Sequence, residues 1–430
     1  MDLSRRRLLQ LGALGFAGSS MGILSACEAD SGSSSGSGSG TELTLWYWDG
    51  GLSKQVVTDA STHFTDVKLT PSIIGGTFKE KLLTTMTGRS GIPDITGIKG
   101  EDIASFLAQA DRFLDLNELG FDKLKSEYLE WKWRQATTPD GKTIGFPIDI
   151  GPTALYYRAD VYEKAGLPTD PAAVAAAMST WEDFFAAGVE LKKKVPKANM
   201  VVDANNLFDL MIGQGTKRFV DENNAFIGDQ DHVRKAWDLA LRPLQLGIDS
   251  KTASGSQDFN AALNAGTLPS IVGPAWQALD IKSAAADTTG KWRVAAAPGG
   301  PGNNGGSFLC LPKECRNPEK AFEVVSWILN QANLARSYAD ASIFPAMPAV
   351  YTSAEMTKAD EFFGGQKTID VFGPAAQKIP IAYESPYDAA VKAPFFLELT
   401  NVEAKGKKSD DAWADAVSAA KKAGERLGVK

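Results

Sequence analysis

Along residues 43–110, short β-branched or aromatic runs alternate with stretches whose apolar residues recur every three or four positions. This alternation constrains the chain most, because strand, helix, strand in succession favours a parallel sheet with crossover helices. Leu43-Thr-Leu-Trp-Tyr-Trp48 reads as a strand that Asp49-Gly50-Gly51 breaks, and Val56, Val57, Ala60 and Phe64 follow at helical spacing. Val67 to Ile74 predicts a second strand and Phe78 to Met86 a helix; Pro93 to Ile98 predicts a third strand and Ile103 to Ala110 its helix. A chain of 430 residues is long enough for two or three domains.

The pattern then changes unit. Phe146-Pro-Ile-Asp-Ile-Gly-Pro152 is rich in turn residues and leads into a strand at Ala154 to Tyr157. Thr180-Trp-Glu-Asp183 has the pattern of a capping box with Asp in place of Glu or Gln. Helices are expected at Leu207 to Gly213, Asp231 to Leu246 and Phe259 to Asn264. Strands are expected at Pro269 to Val272, Trp292 to Ala297 and Ser307 to Leu311. The long turn-rich loop Pro298 to Gly306 separates the last two. Asn317-Pro318 starts a helix running to Asn330, with Pro at its first position, and a final helix spans about Ser409 to Leu427.

The first 41 residues read as addressing rather than fold. Ser4-Arg-Arg-Arg7 precedes an uncharged, Gly- and Ala-rich apolar stretch ending Leu24-Ser-Ala-Cys27. Cationic cluster, apolar stretch and small residues in that order predict an export signal over residues 1–26. Its glycines and serines make a permanent membrane span the weaker reading. The start resembles a twin-arginine signal and the end a lipobox, with Cys27 as the lipidated N-terminus of the mature chain. Residues 27–41, with SGSSSGSGSG at their centre, would be the lipid attachment and a flexible tether.

Several chemistries lack material. The charge is 45 basic against 52 acidic residues, net −7, which argues against a nucleic-acid partner. Two histidines and three cysteines leave little for a metal centre or a nucleophile. Gly141-Lys-Thr143 lacks the upstream glycine of a phosphate loop, since Ala136 stands there. Asp229-Gln-Asp231-His232 is explained by acidic residues at a helix start. Cys310 and Cys315 are spaced to close a tight disulfide loop or to remain two free thiols; the spacing leaves both open.

Several segments in order resemble the extracellular solute-binding proteins of bacterial ABC importers, family 1, the maltose-binding-protein-like carbohydrate group. They are Leu43 to Trp48, Phe78 to Asp94, Gly141 to Arg158, Ala165-Gly-Leu-Pro168 with Thr180 to Asp183, Asn260 to Trp276, Ala297 to Ser307, and Pro345-Ala346. The resemblance implies a periplasmic-binding-protein type II fold: α/β, two-lobed, each lobe a mainly parallel sheet flanked by helices. It implies one lobe from 42–152 plus 308–344 and a second from 153–307 plus 345–430. It implies capture of a mono- or oligosaccharide and delivery to the permease, with no reaction and no cofactor. The implied partners are the carbohydrate, the transmembrane subunits of the permease, and the membrane through the lipid anchor. The implied state is a monomer on the outer face of the cytoplasmic membrane.

A sugar presents an apolar C–H face to an aromatic plate and a rim of hydroxyls to carboxylates and amides. Trp48 and Asp49 stand at a strand end, where doubly wound sheets hold ligands, though Trp48 also reads as core and Asp49 as a cap. Trp276 ends a strand, and the resemblance puts an aromatic platform there. Asp149 lies in the passage between lobes, or is simply a turn residue. Glu101 follows the third strand, where helix-start charge also accounts for it. Asn206, Ser307, Tyr383 and Tyr387 complete the candidate contacts. The alternatives are a non-sugar solute in the same fold (polyamine, glycerophosphodiester or peptide) and a secreted glycosidase built on paired carboxylates.

Overall fold

The computed structural model describes residues 41–430; the expected export signal, Cys27 and the expected tether up to Gly40 lie outside the described residues, and Thr41 begins the first strand. Eight strands form two sheets: β1 Thr41–Tyr47, β2 Val67–Ile73, β3 Ile95–Lys99, β4 Gly145–Asp149, β5 Thr153–Arg158, β6 Ser270–Pro274, β7 Trp292–Ala296 and β8 Ser307–Cys310. The first sheet has the order β2-β1-β3-β8-β4 and the second β6-β5-β7, giving an α/β molecule of two lobes. In β1 the period of two puts Leu43, Leu45 and Tyr47 into the core.

Neither sheet is as parallel as expected. β1 to β4 share one direction, but β8 runs antiparallel to β3 and β4. In the second sheet β5 is antiparallel to both β6 and β7. The reason is the passage between lobes. β4 leaves the first sheet at the junction and β5 enters the second there; β7 leaves the second and β8 re-enters the first. An entering strand must run opposite to a leaving one, so each sheet carries one reversed strand among otherwise codirectional ones.

The two passages touch closely at the junction. Asn304 N donates to Gly151 O at 2.9 Å, Gly151 N to Asn303 Oδ1 at 2.9 Å, and Gly100 N to Gly306 O at 2.7 Å. Phe344 adds a third strand of chain, accepting from Ile150 N at 2.9 Å. One apolar cluster runs from Leu43 and Ile95 through Phe344 and Phe372 to Tyr156, joining one face of each sheet. Phe208, Trp237 and Phe395 lead a second cluster on the far face of the second sheet.

Local sequence signals explain most elements. Thr180 caps the Trp181–Lys194 helix by accepting from Asp183 N, and Asn317 caps Pro318–Ile328 by accepting from Lys320 N. Asp231–Leu246 forms a helix stopped by Gly247 at φ 68°. The neighbouring polar residues are tied elsewhere, Asp229 to Lys421 at 2.7 Å and His232 Nε2 to Arg218 O at 2.7 Å. Gln331–Ala341 is capped by Asn330, which accepts from Asn333 N, whereas Asp388–Lys405 carries no clear signal in the sequence. Pro394 lies inside the latter, and Leu397 is 61% exposed although Phe395 is fully buried, so its apolar residues do not mark one face.

The cysteine alternatives resolve to two buried free thiols. Cys310 ends β8 and Cys315 lies in the turn beyond Pro312, which separates them. Cys310 points with Phe308 into a cluster around Ile98 and Phe106, while Cys315 packs with Leu309 and Leu311 on the other face of the sheet. Burial pushes both thiols up, Cys315 to about 11.

Candidate functional site

The carboxyl ends of β3 and β6 and the loop between β7 and β8 converge on a cavity of about 570 Å³. Lys99 at the end of β3 directly precedes the Gly100–Leu107 helix, whose first turn carries Glu101 and Asp102. Acidic groups there suit the positive end of the helix. Facing them are Asp209 and Gly213 from one helix, Trp276 after β6, Asn303 and Asn304 from the loop, and Glu384, Asp388 and Lys392. A second chamber of about 760 Å³ shares Gln135, Arg218, Asn303 and Glu384 with the first. Trp131, Trp133, Ile381 and Tyr383 make its walls more apolar.

Several charged groups of the first chamber are already paired within the protein. Lys79 Nζ donates to Asp102 at 2.7 Å and Lys392 Nζ to Asp209 at 2.8 Å. Arg218 donates to the carbonyls of Ile212 at 2.6 Å and Gly215 at 2.9 Å and lies 4.0 Å from Glu384. Glu384 also accepts from Gln135 Nε2 at 2.7 Å, a bond across the cleft between the lobes. Lys99 Nζ stands 5.6 Å from the centre of the Trp48 ring. Asp388 accepts from Ser385 N at 2.7 Å and from Phe219 N and Val220 N at 3.1 Å each. Burial nevertheless raises its carboxyl to about 6, outweighing those donors. Burial also raises Glu101, helped by the like charge of Asp102. The wall carries four cations (Lys79, Lys99, Arg218, Lys392) and four anions (Glu101, Asp209, Glu384, Asp388).

Three residues singled out from sequence stand in these walls. Glu101 and Trp276 line the first chamber and Tyr383 the second. Trp276 is 37% exposed, and its Nε1 donates to Asn304 O at 3.2 Å, which fixes the indole plane beside the loop. The other six are outside the lining. Trp48 is wedged between Gly51 and Gly97, with Phe78 edge-on at 5.4 Å, so it supports Lys99 from behind. Asp49 is exposed and pairs with Lys54 at 2.8 Å, because the Gly50-Gly51 turn carries it outward. Asp149 accepts from the Ser307 hydroxyl, so these two join the passages beneath the cleft. Burial pushes the Asp149 carboxyl up, with Lys132 opposing. Asn206 is in the first turn of Ala204–Gly213, its N capped by Asp203 at 2.7 Å, whereas the other end of that helix meets the cleft. Tyr387 packs onto the helical core between two residues that do line the wall.

Gln135, Asp209, Arg218, Asn303, Asn304, Asp388 and Lys392 were not singled out as contacts from the sequence. Asn303 and Asn304 had a signal, since they are the polar pair inside the Gly-rich passage. Arg218 had none; loop carbonyls aim it.

A family model described as bacterial extracellular solute-binding protein matches residues 59–364. The chain is 27% identical over 390 residues to a lactose-binding protein of Rhizobium radiobacter, covering 82% of this chain and 87% of that one. It is 26% identical to an arabinooligosaccharide-binding protein of Bacillus subtilis, covering 71% and 72%. A crystal structure of an extracellular solute-binding protein family 1 member superposes with a TM-score of 0.84 at 29% identity, covering 89% of this chain and 100% of that one. The chain belongs to the bacterial extracellular solute-binding proteins.

Proposed function

We propose that this chain captures a carbohydrate between its two lobes and hands it, chemically unchanged, to the transmembrane subunits of an ABC importer. The observation that carries the reading is a cleft wall with four cations balancing four anions beside the exposed indole of Trp276. An anionic solute would want cations in excess, and a polyamine carboxylates in excess. A balanced wall, in which Lys79 and Lys392 are already paired with carboxylates, suits a neutral, hydroxyl-rich guest with an apolar face. The relatives named for lactose and arabinooligosaccharides support the same class. Trp276 serves as the stacking plate, Glu101 accepts from hydroxyls, and Tyr383 contacts the guest from the second chamber. The lobes comprise 42–152 with 308–344, and 153–307 with 345–430. The protein works as a monomer, exported under its N-terminal signal and held to the outer face of the membrane by a lipid on Cys27.

The test is a thermal-shift screen against a carbohydrate library. A ligand at 100 times its dissociation constant adds about 2.7 kcal/mol, enough for a clear upward shift. Chromatography of the recovered sugar should show it intact. No shift from any neutral saccharide, or release of cleaved product, would refute the reading.

A further inference from the structure

Two side chains meet across the space between the lobes. Gln135 directly follows the short Glu130–Arg134 helix, which packs on β4 of the first sheet. Glu384 lies just ahead of the Asp388–Lys405 helix, whose Val391 and Phe395 belong to the apolar cluster on the far face of the second sheet. Gln135 Nε2 donates to Glu384 Oε2 at 2.7 Å. Both partners are braced from behind. Lys132 Nζ, which can only donate, bonds Gln135 Oε1 at 3.1 Å and so turns the amide N–H toward Glu384. Arg218, tied to the carbonyls of Ile212 and Gly215, stands 4.0 Å from the other oxygen of Glu384. The pair lines both chambers, together with Ala104, Arg218, Asn303 and Pro386. Residues common to two cavities stand where the cavities meet, so the bond spans the opening between them. On one side are the paired charges and Trp276; on the other are Trp131, Trp133, Tyr383 and Ile381, the last 56% exposed.

We propose that the Gln135–Glu384 bond is a gate that selects carbohydrates by length: it stays closed beside a guest held in the first chamber alone and opens for one that extends into the second. The inference rests on the carbohydrate reading above. No sugar ring passes between atoms 2.7 Å apart, so a guest that reaches through this opening from Trp276 to Tyr383 must separate the pair. Separation gives up a hydrogen bond to a charged group, which is stronger than one between neutral groups. A longer guest recovers the loss only where its own hydroxyls donate to the freed carboxylate and accept from the freed amide, with its rings against the tryptophans. A shorter guest never meets the cost. The pair thus discriminates through the penalty it lays on the longer guest.

The test is a titration by chain length. A thermal-shift screen of the purified protein against oligosaccharide series of glucose, galactose and arabinose, each from two to five rings, first finds a series that the wild type binds. Calorimetry with the shortest and longest members of that series then gives the ratio of their affinities for the wild type, Glu384→Ala and Gln135→Asn. The first variant removes the acceptor, and the second draws the donor back by one methylene. Both should raise the long-to-short ratio about tenfold, the size of one hydrogen bond to a charged group. A ratio within twofold of the wild type in either variant overturns the gate. Should one of them not fold, Glu384→Gln replaces it. Its neutral acceptor weakens the bond while keeping the side chain, so a smaller rise supports the gate and an unchanged ratio refutes it. If no series shifts the wild type at all, the carbohydrate reading fails and the gate falls with it; binding with an unchanged ratio refutes the gate alone.

Discussion

Substituting Gly151 by alanine tests whether the closely packed passages determine the cleft. A Cβ at Gly151 would lie 1.9 Å from Asn304 O and 2.8 Å from the carbonyl carbon behind it. The obstacle is backbone, so no rotamer relieves it, and one passage must move by more than 1 Å to reach an ordinary contact. Overpacking of this kind costs about 1–3 kcal/mol. The shift also strains the bonds from Asn304 N to Gly151 O and from Gly151 N to Asn303, each worth about 1 kcal/mol. A total near 3 kcal/mol should lower the melting temperature of a chain this size by about 3–4 °C. Because Asn303 and Asn304 are the residues displaced, and both line the cleft, ligand affinity should fall at least tenfold. Gly75→Ala is the control, since nothing lies within 4 Å of a Cβ there. Scanning calorimetry and ligand titration read the two effects. A Gly151→Ala protein that melts with the wild type and binds equally well would show that the passages yield freely and do not position the loop.

Trp276→Ala should weaken carbohydrate binding about tenfold, or about 1.4 kcal/mol, with an unchanged circular dichroism spectrum; equal affinity by calorimetry removes the indole from the site. Asp388 has a folded-state carboxyl raised to about 6 against an ordinary value of 3.8. The folded protein therefore holds that proton more tightly than the unfolded chain. The resulting stability is fully present below pH 4 and lost as pH rises through 6. Asp388→Asn should abolish this part of the slope, and a wild-type minus variant difference in melting temperature that is flat from pH 4 to 6.5 contradicts it. Cys27→Ser should move the protein from the membrane fraction to the soluble fraction of fractionated cells; retention would mean that the apolar segment itself is the anchor.

Seven of the eight strands among the described residues were readable because each is a short apolar run closed by Gly, Pro or a polar turn, as Leu43 to Trp48 and Pro269 to Val272 are; β4 was read as a turn-rich passage because of Pro147 and Gly151-Pro152, yet Gly145–Asp149 pairs with β8 as a strand. Strand direction was not, since β5 and β8 differ from their neighbours only in arriving from the other lobe, and nothing within Thr153–Arg158 or Ser307–Cys310 records that. The same division holds in the cleft. Trp276 was accessible because it ends a strand and the resemblance to solute-binding proteins puts an aromatic platform there. Trp48 looked equivalent, yet the empty sides of Gly51 and Gly97 let its ring fold back against the sheet. Local sequence gives the end of a strand but not the direction a side chain takes from it. Arg218 lies further out of reach, for its surroundings come from segments as distant as Glu384.

The pairing of the wall has a consequence for selectivity. A free lysine in a cleft attracts any anion, whereas Lys392 held by Asp209, and Lys79 held by Asp102, already have their charge answered. A phosphate entering would have to break those pairs and leave Asp209 or Asp102 facing it, and like charges brought together out of water are costly. A hydroxyl needs no such exchange. It can donate to a carboxylate oxygen that still has a free lone pair and accept from an ammonium that still has a free proton, without separating either pair. These two ion pairs thus oppose a charged solute more than a neutral polyol, with Lys99 set against the Trp48 ring rather than a carboxylate, while the aromatic surfaces of Trp276 and the second chamber offer attraction for an apolar ring face.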